Sequence, residues 1–153
     1  MKTNRLLLLL CAFPLMAADP AGFVVWSAAD LKGVEKKLAA KVDGQRFASQ
    51  QLEKFGNHYT MLAYLQGSGS AELHETEADL FIVESGTAKL LVGGKIVNPK
   101  TTAPHEIRGA SIQGAEEKAL SAGDIVHIPA NVPHQLLLTS KEFTYFVLKV
   151  QGQ

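Results

Sequence analysis

The sequence predicts an all-β sandwich or barrel preceded by one amphipathic helix. Three observations carry this. From Arg46 onward, apolar and polar residues alternate in short runs, the period at which one strand face is buried and the other is wet. Glycine- and proline-bearing turn signals separate these runs. Only one segment, upstream of the first run, has the helical period.

The N-terminus reads as a targeting segment rather than part of the fold. Lys2 and Arg5 precede an apolar run from Leu6 to Met16, and Ala17-Ala18 follow before Asp19. A short basic region, an apolar core and small residues at its end describe an export signal. The run is shorter than the roughly 20 residues that span a bilayer, and Leu6 to Leu10 has no amphipathic period. A lipid anchor at Cys11 fits less well, because Leu10 stands where a small residue is expected. Residues 1–18 are therefore expected to be removed near Ala17 or Ala18. The mature protein is then periplasmic or secreted, with no membrane association.

Residues 19–44 form an N-terminal segment with a helix over 27–42. Ser27 is a suitable N-cap with Asp30 three residues on, and Leu31, Val34, Leu38 and Val42 share one stripe. Lys32, Lys36, Lys37 and Lys41 lie mostly off the stripe, and Asp43-Gly44 is the expected stop. Such a helix packs across the outside of a barrel. Within the barrel domain, 45–153, strands are expected at about 46–55, 58–66, 70–75, 79–84, 87–92, 124–128, 134–139 and 143–150. Residues 98–122 break the rhythm. They hold Pro99, Pro104, Gly109 and Gly114 with few large apolar groups, and read as a surface Ω-loop; His105–Gly109 is placed to order over the barrel mouth.

Composition narrows the function. The chain has 15 basic and 15 acidic residues; losing Lys2 and Arg5 with the signal leaves 13 against 15, a net charge of about −2. That balance argues against a nucleic-acid partner. Cys11 is the only cysteine, so the mature chain has neither disulfide nor thiol chemistry. The remaining length of about 135 residues suits one packed core. No serine lies in a nucleophile-elbow context, and no Gly-rich phosphate loop follows a strand.

Alternation places Glu72 with His74 on one face of 70–75, and Asp79 with Phe81 and Val83 on one face of 79–84. His134 opens the alternation continued by Leu136 and Leu138. Two imidazoles and two carboxylates can thus converge at one rim, a nitrogen and oxygen set suited to a divalent ion. Two carboxylates close together in a partly dry barrel also need a cation or a proton. Each residue has a plainer alternative: a strand-edge charge for Glu72, a turn cap for Asp79, and hydrogen-bonded structural histidines for His74 and His134.

The segments Glu72-Leu-His74-Glu-Thr-Glu-Ala-Asp79 through Gly86, and Gly123 through Pro129 to His134, resemble the two sequence motifs of the cupin family. In the first motif, counting back from Gly86 puts Asp79 at the family's Glu position, His74 at its second His and Glu72 at its first. In the second, Gly123, Pro129 and His134 match, Asn131 replaces a Gly and Leu138 replaces an Asn. The resemblance implies a cupin-type jelly-roll β-barrel with metal ligands Glu72, His74, Asp79 and His134. The ion would be Fe, Mn, Zn or Ni. It implies metal-dependent small-molecule chemistry, as an oxygenase or isomerase, or else a non-catalytic module that binds a small molecule without metal. His127, His58, Glu106 and Arg108 are the further pocket candidates, with Glu106 and Arg108 selecting an anionic or hydroxylated ligand. A homodimer built on exposed strand edges is a third expectation.

Overall fold

The computed structural model describes residues 19–42, 44 and 46–152. The expected export signal and Asp43 of the expected helix stop lie outside the described residues. Among those described, no helix is long and apolar enough to cross a membrane.

Helix α1 spans Ala28–Ala39. Ser27 caps it, its hydroxyl accepting from the Asp30 N–H while the Asp30 carboxylate accepts from the Ser27 N–H, a reciprocal capping box. The helix stops short of the expected Val42, where the chain tightens and the Lys41 N–H donates to the Leu38 carbonyl. The stripe nonetheless does what its spacing predicts. Leu31, Val34, Leu38 and Val42 pack on Ala48, Leu62 and Tyr64.

Among the described residues thirteen strands follow. They are β1 (Phe47–Lys54), β2 (His58–Leu65), β3 (Ala71–His74), β4 (Glu77–Ser85), β5 (Thr87–Val92), β6 (Lys95–Val97) and β7 (Lys100–Ala103). The rest are β8 (Glu106–Gly109), β9 (Ser111–Gln113), β10 (Glu116–Ser121), β11 (Ile125–Ile128), β12 (His134–Leu138) and β13 (Phe143–Gln151). All pairings are antiparallel, in a five-stranded sheet β1-β2-β13-β4-β11 and a six-stranded sheet β10-β5-β12-β3-β8-β7, with β6 and β9 as a separate pair. Phe81, Val83, Leu90, Ile128, Leu136, Phe143 and Val147 fill the space between the two large sheets. Strand β2 is covered on both faces, by the barrel core on one side and by α1 on the other, which is why Leu62 to Leu65 is apolar without interruption.

Residues 98–122 are not an Ω-loop. They contain β7, β8, β9 and β10, and β10 pairs with β5 over six residues. The prolines and glycines that suggested a loop mark turns between these strands: Pro99 follows β6, Pro104 follows β7, and Gly114 follows β9 with φ +73°. The strands carry little apolar signal because most of their side chains face water; only Ile112 and Leu120 are buried. Backbone pairing holds the rest. Gly109 at the end of β8 permits a close approach, since a Cβ there would lie 2.6 Å from the Val97 carbonyl.

Candidate metal centre

Strand β3 is the keystone. It is only four residues long, and its alternation turns Glu72 and His74 toward the space between the sheets. Its neighbours deliver the other groups by register. His134, the first residue of β12, pairs with Glu72 on one side and Val92 of β5 on the other. On its far edge β3 pairs with β8, setting Arg108 opposite Glu72 and Glu106 opposite His74. From the opposite sheet, β4 contributes Asp79, whose partner across β13 is Lys149.

The geometry is close. His134 Nε2 lies 3.4 Å from Glu72 Oε1 and 3.6 Å from Asp79 Oδ2, and His74 Nε2 lies 3.5 Å from the same Asp79 oxygen. Ligand atoms of Glu72, His74 and His134 all fall within 4.8 Å of one another. Tetrahedral ligands at bonds of about 2.1 Å stand roughly 3.4 Å apart, which the 3.4–3.6 Å pairs among His74, His134, Glu72 and Asp79 match. His74, Asp79 and His134 are buried, and Glu72 is partly so. Two buried nitrogens, His74 Nε2 and His134 Nε2, have no hydrogen-bond partner among the described residues. His134 Nδ1 is 3.0 Å from the Val132 carbonyl, so this nitrogen donates and Nε2 is the nitrogen turned to the centre. Burial opposes a charge on the ring, but Glu72 and the Val132 carbonyl outweigh it and raise its pKa, so a metal there would displace a proton from Nε2. Buried polar atoms rarely go unpaired. The donor set fits a bound dication.

Charge points the same way. Glu72, Asp79 and Glu106 face the centre with Arg108 and Lys149 as their cations, leaving one negative charge when both imidazoles are neutral. Arg108 binds Glu72 at 2.9 Å and Glu106 at 2.6 Å, and Lys149 Nζ binds Asp79 Oδ1 at 2.6 Å. Burial alone would raise the Glu72 carboxyl; in the metal-free protein, contact with the His134 ring in its protonated form, then the charge of Arg108, outweigh it and hold the group at about 2. Burial likewise opposes ionisation of Asp79, and His74 with Lys149 reverse it, keeping that carboxyl below its ordinary range. Burial pushes the Tyr145 phenol well up, helped by Glu72 and Asp79, so it stays protonated beside them.

The sequence matches no protein-family model and no curated protein. Solved structures do match. A Cupin 2 conserved barrel domain protein from Salinispora arenicola superposes with a TM-score of 0.50 at 16% identity, over 72% of this chain and 79% of that one. KdgF from a Halomonas species gives 0.53 at 14%, covering 73% and 85% of the two chains. A double-stranded β-helix protein from Klebsiella pneumoniae gives 0.53 at 15%, covering 72% and 82%. The fold is the cupin fold.

Two departures from the cupin motifs now have structural accounts. Asn131 stands where a glycine is usual and adopts φ +63°, a conformation asparagine tolerates. It also ties the turn to β3: its N–H donates to the His74 carbonyl at 2.8 Å and its side-chain amide to the Glu75 carbonyl at 2.9 Å. Leu138, in place of an asparagine, packs on the barrel core. Gly86 of the first motif has φ +84°, and any Cβ there would collide with the Glu142 carbonyl.

The structure brings together Glu72, His74, Asp79, His134, Glu106 and Arg108. It does not bring in His127 or His58. In β11, Val126 and Ile128 take the inner face opposite Phe81 and Asp79, so the intervening His127 is turned out and exposed. In β2, Tyr59, Met61 and Ala63 line the interior, which puts His58 on the outer face, stacked on Phe55 and bonded to Asn57. Sequence reasoning missed Lys149. Its signal was parity: it shares a face with Phe143, Tyr145 and Val147, so a lysine sits in a core-facing position.

Proposed function

We propose that this cupin is an exported protein that binds one divalent metal ion through Glu72, His74 and His134, with Asp79 beside them, and a small molecule in the adjoining cavity. The observation that carries the reading is the pair of buried Nε2 atoms, without a hydrogen-bond partner among the described residues, that face the Asp79 carboxylate in common. When bound, such an ion supplies Lewis-acid or one-electron chemistry, which suits an oxygenase or an isomerase. The chain's own residues do the rest. Lys149 holds Asp79 Oδ1 so that Oδ2 faces the imidazoles, and Arg108 fixes Glu72 and Glu106. Tyr145 keeps its phenolic proton at the wall, where it can donate to a ligand.

Elemental mass spectrometry of the mature protein, purified without a His-tag or chelator, tests this. We expect near-stoichiometric Fe, Mn, Zn or Ni, lost in the His74→Ala/His134→Ala variant. Little metal after incubation with all four ions would defeat the metal reading. A metal-free binding module is the second reading, favoured by the cations already on both carboxylates, Arg108 on Glu72 and Lys149 on Asp79. Export is tested separately by sequencing the N-terminus of the extracytoplasmic protein; a chain retained in the cytoplasm with residues 1–18 intact would overturn it.

A further inference from the structure

A groove of about 500 Å³ runs away from the centre toward the β2–β3 connection, within the size range of small-molecule sites. It adjoins the roughly 190 Å³ cavity that holds the centre, with Phe47, Glu72, Arg108 and Tyr145 lining both. Phe47, Leu65, Leu136 and Tyr145 make its apolar surface. Phe47 is 40% exposed, a large apolar side chain standing at the opening.

The polar wall opposite is largely committed to the protein itself. The Gly69 N–H donates to the Leu136 carbonyl, the Gly69 carbonyl accepts from Gln135, and the Ser68 hydroxyl accepts from the Leu138 N–H. A ligand body in this groove therefore finds its carbon contacts on one side, at Phe47, Leu65, Leu136 and Tyr145, and on the other a polar wall whose groups at Ser68 and Gly69 already have protein partners. Arg108, the one cation lining the groove, is committed too: Nε to Glu106, one terminal nitrogen to Glu72 and the other 3.4 Å from the Ser70 hydroxyl. The two carboxylates that it binds offset its charge toward a ligand.

The sign of the ligand's head group then follows from the charge of the centre. Glu72, Asp79 and Glu106 against Arg108 and Lys149 leave one negative charge, which a dication turns into one positive charge. We infer that the groove takes a small monoanion, a carboxylate or enolate on an apolar body, whose anionic head lies at the centre and whose body lies between Phe47 and Leu136. This inference rests on the metal reading above and adds the ligand class to it.

The test uses matched probes, 3-phenylpropanoate, 3-phenylpropanamide and 3-phenylpropylamine, titrated calorimetrically into the full mature protein loaded with Zn²⁺ or Mn²⁺ and into chelator-treated protein. Metal content is measured on the same samples. On loaded protein the carboxylate should bind at least about tenfold more tightly than the amide and more tightly still than the amine, as a unit charge at a partly dry site requires. Chelation should abolish that preference. Phe47→Ala should weaken the carboxylate about fivefold or more and Phe47→Leu much less, both with metal content unchanged. Retained metal with amide or amine binding as well as carboxylate would overturn the ligand class alone. A Phe47→Ala protein that binds the carboxylate unchanged would overturn the placement in the groove. No retained metal would overturn this inference together with the metal reading.

Discussion

The two ends of the barrel are built from the same strands and obey opposite rules. Along β4 the inward residues run Asp79, Phe81, Val83; along β13 they run Lys149, Val147, Tyr145, Phe143. At one end, Val83 and Phe143 join Leu65, Ala88 and Leu120 in a dry cluster that needs no partner of particular chemistry. At the other, Asp79 and Lys149 meet Glu72, His74 and His134, where each group depends on a specific neighbour. Shape and carbon hold the first end together; pairing holds the second.

The largest effect should come from the apolar end. Phe143 is fully buried, and Phe143→Ala should cost about 3–5 kcal/mol in urea unfolding, with metal binding per folded molecule little changed. Lys149→Met breaks the comparison from the other side. It strands the buried Asp79 carboxylate and should cost about 3–5 kcal/mol, most of it recovered in a Lys149→Met/Asp79→Asn double variant. A double variant no more stable than the single would mean that the pair is not what holds this end.

Acid should attack the polar end selectively. In metal-free protein Glu72 has its carboxyl at about 2 instead of 4.5, so its contribution is fully present above about 4.5 and is lost as the pH falls toward 2. Asp79 acts in the same direction from its own ordinary value. Stability of the chelated protein, followed by urea titration across this window, should drop, and Glu72→Gln should flatten the drop. The smallest effect lies outside the barrel. Ser27→Ala removes the α1 cap and should cost about 1 kcal/mol, leaving metal and probe binding as they were.

How much was legible in the sequence follows this division. The dry end, the α1 stripe and the eight main strands were readable because burial imposes a period on side chains. Four residues of the centre, Glu72, His74, Asp79 and His134, were readable from parity and motif spacing. The strands between 98 and 122 were not, because β7 and β10 face water on most positions and are held by backbone pairing, which leaves no hydrophobic period. His127 misled because its short strand offers two parities, and only the β11–β4 register chooses between them.

By itself the sequence determined the all-β barrel with one external helix and the small set of histidines and carboxylates from which a centre can be built. Tertiary structure alone decided which of them meet. Register across β3, β8, β12 and the β4–β13 pair brings site residues up to 70 positions apart in sequence, Asp79 and Lys149, into contact. Lys149 entered the site, and His127 left it, by that route. Local periodicity records which face of a strand is buried, whereas the charge partner across the barrel depends on long-range pairing that no local pattern encodes.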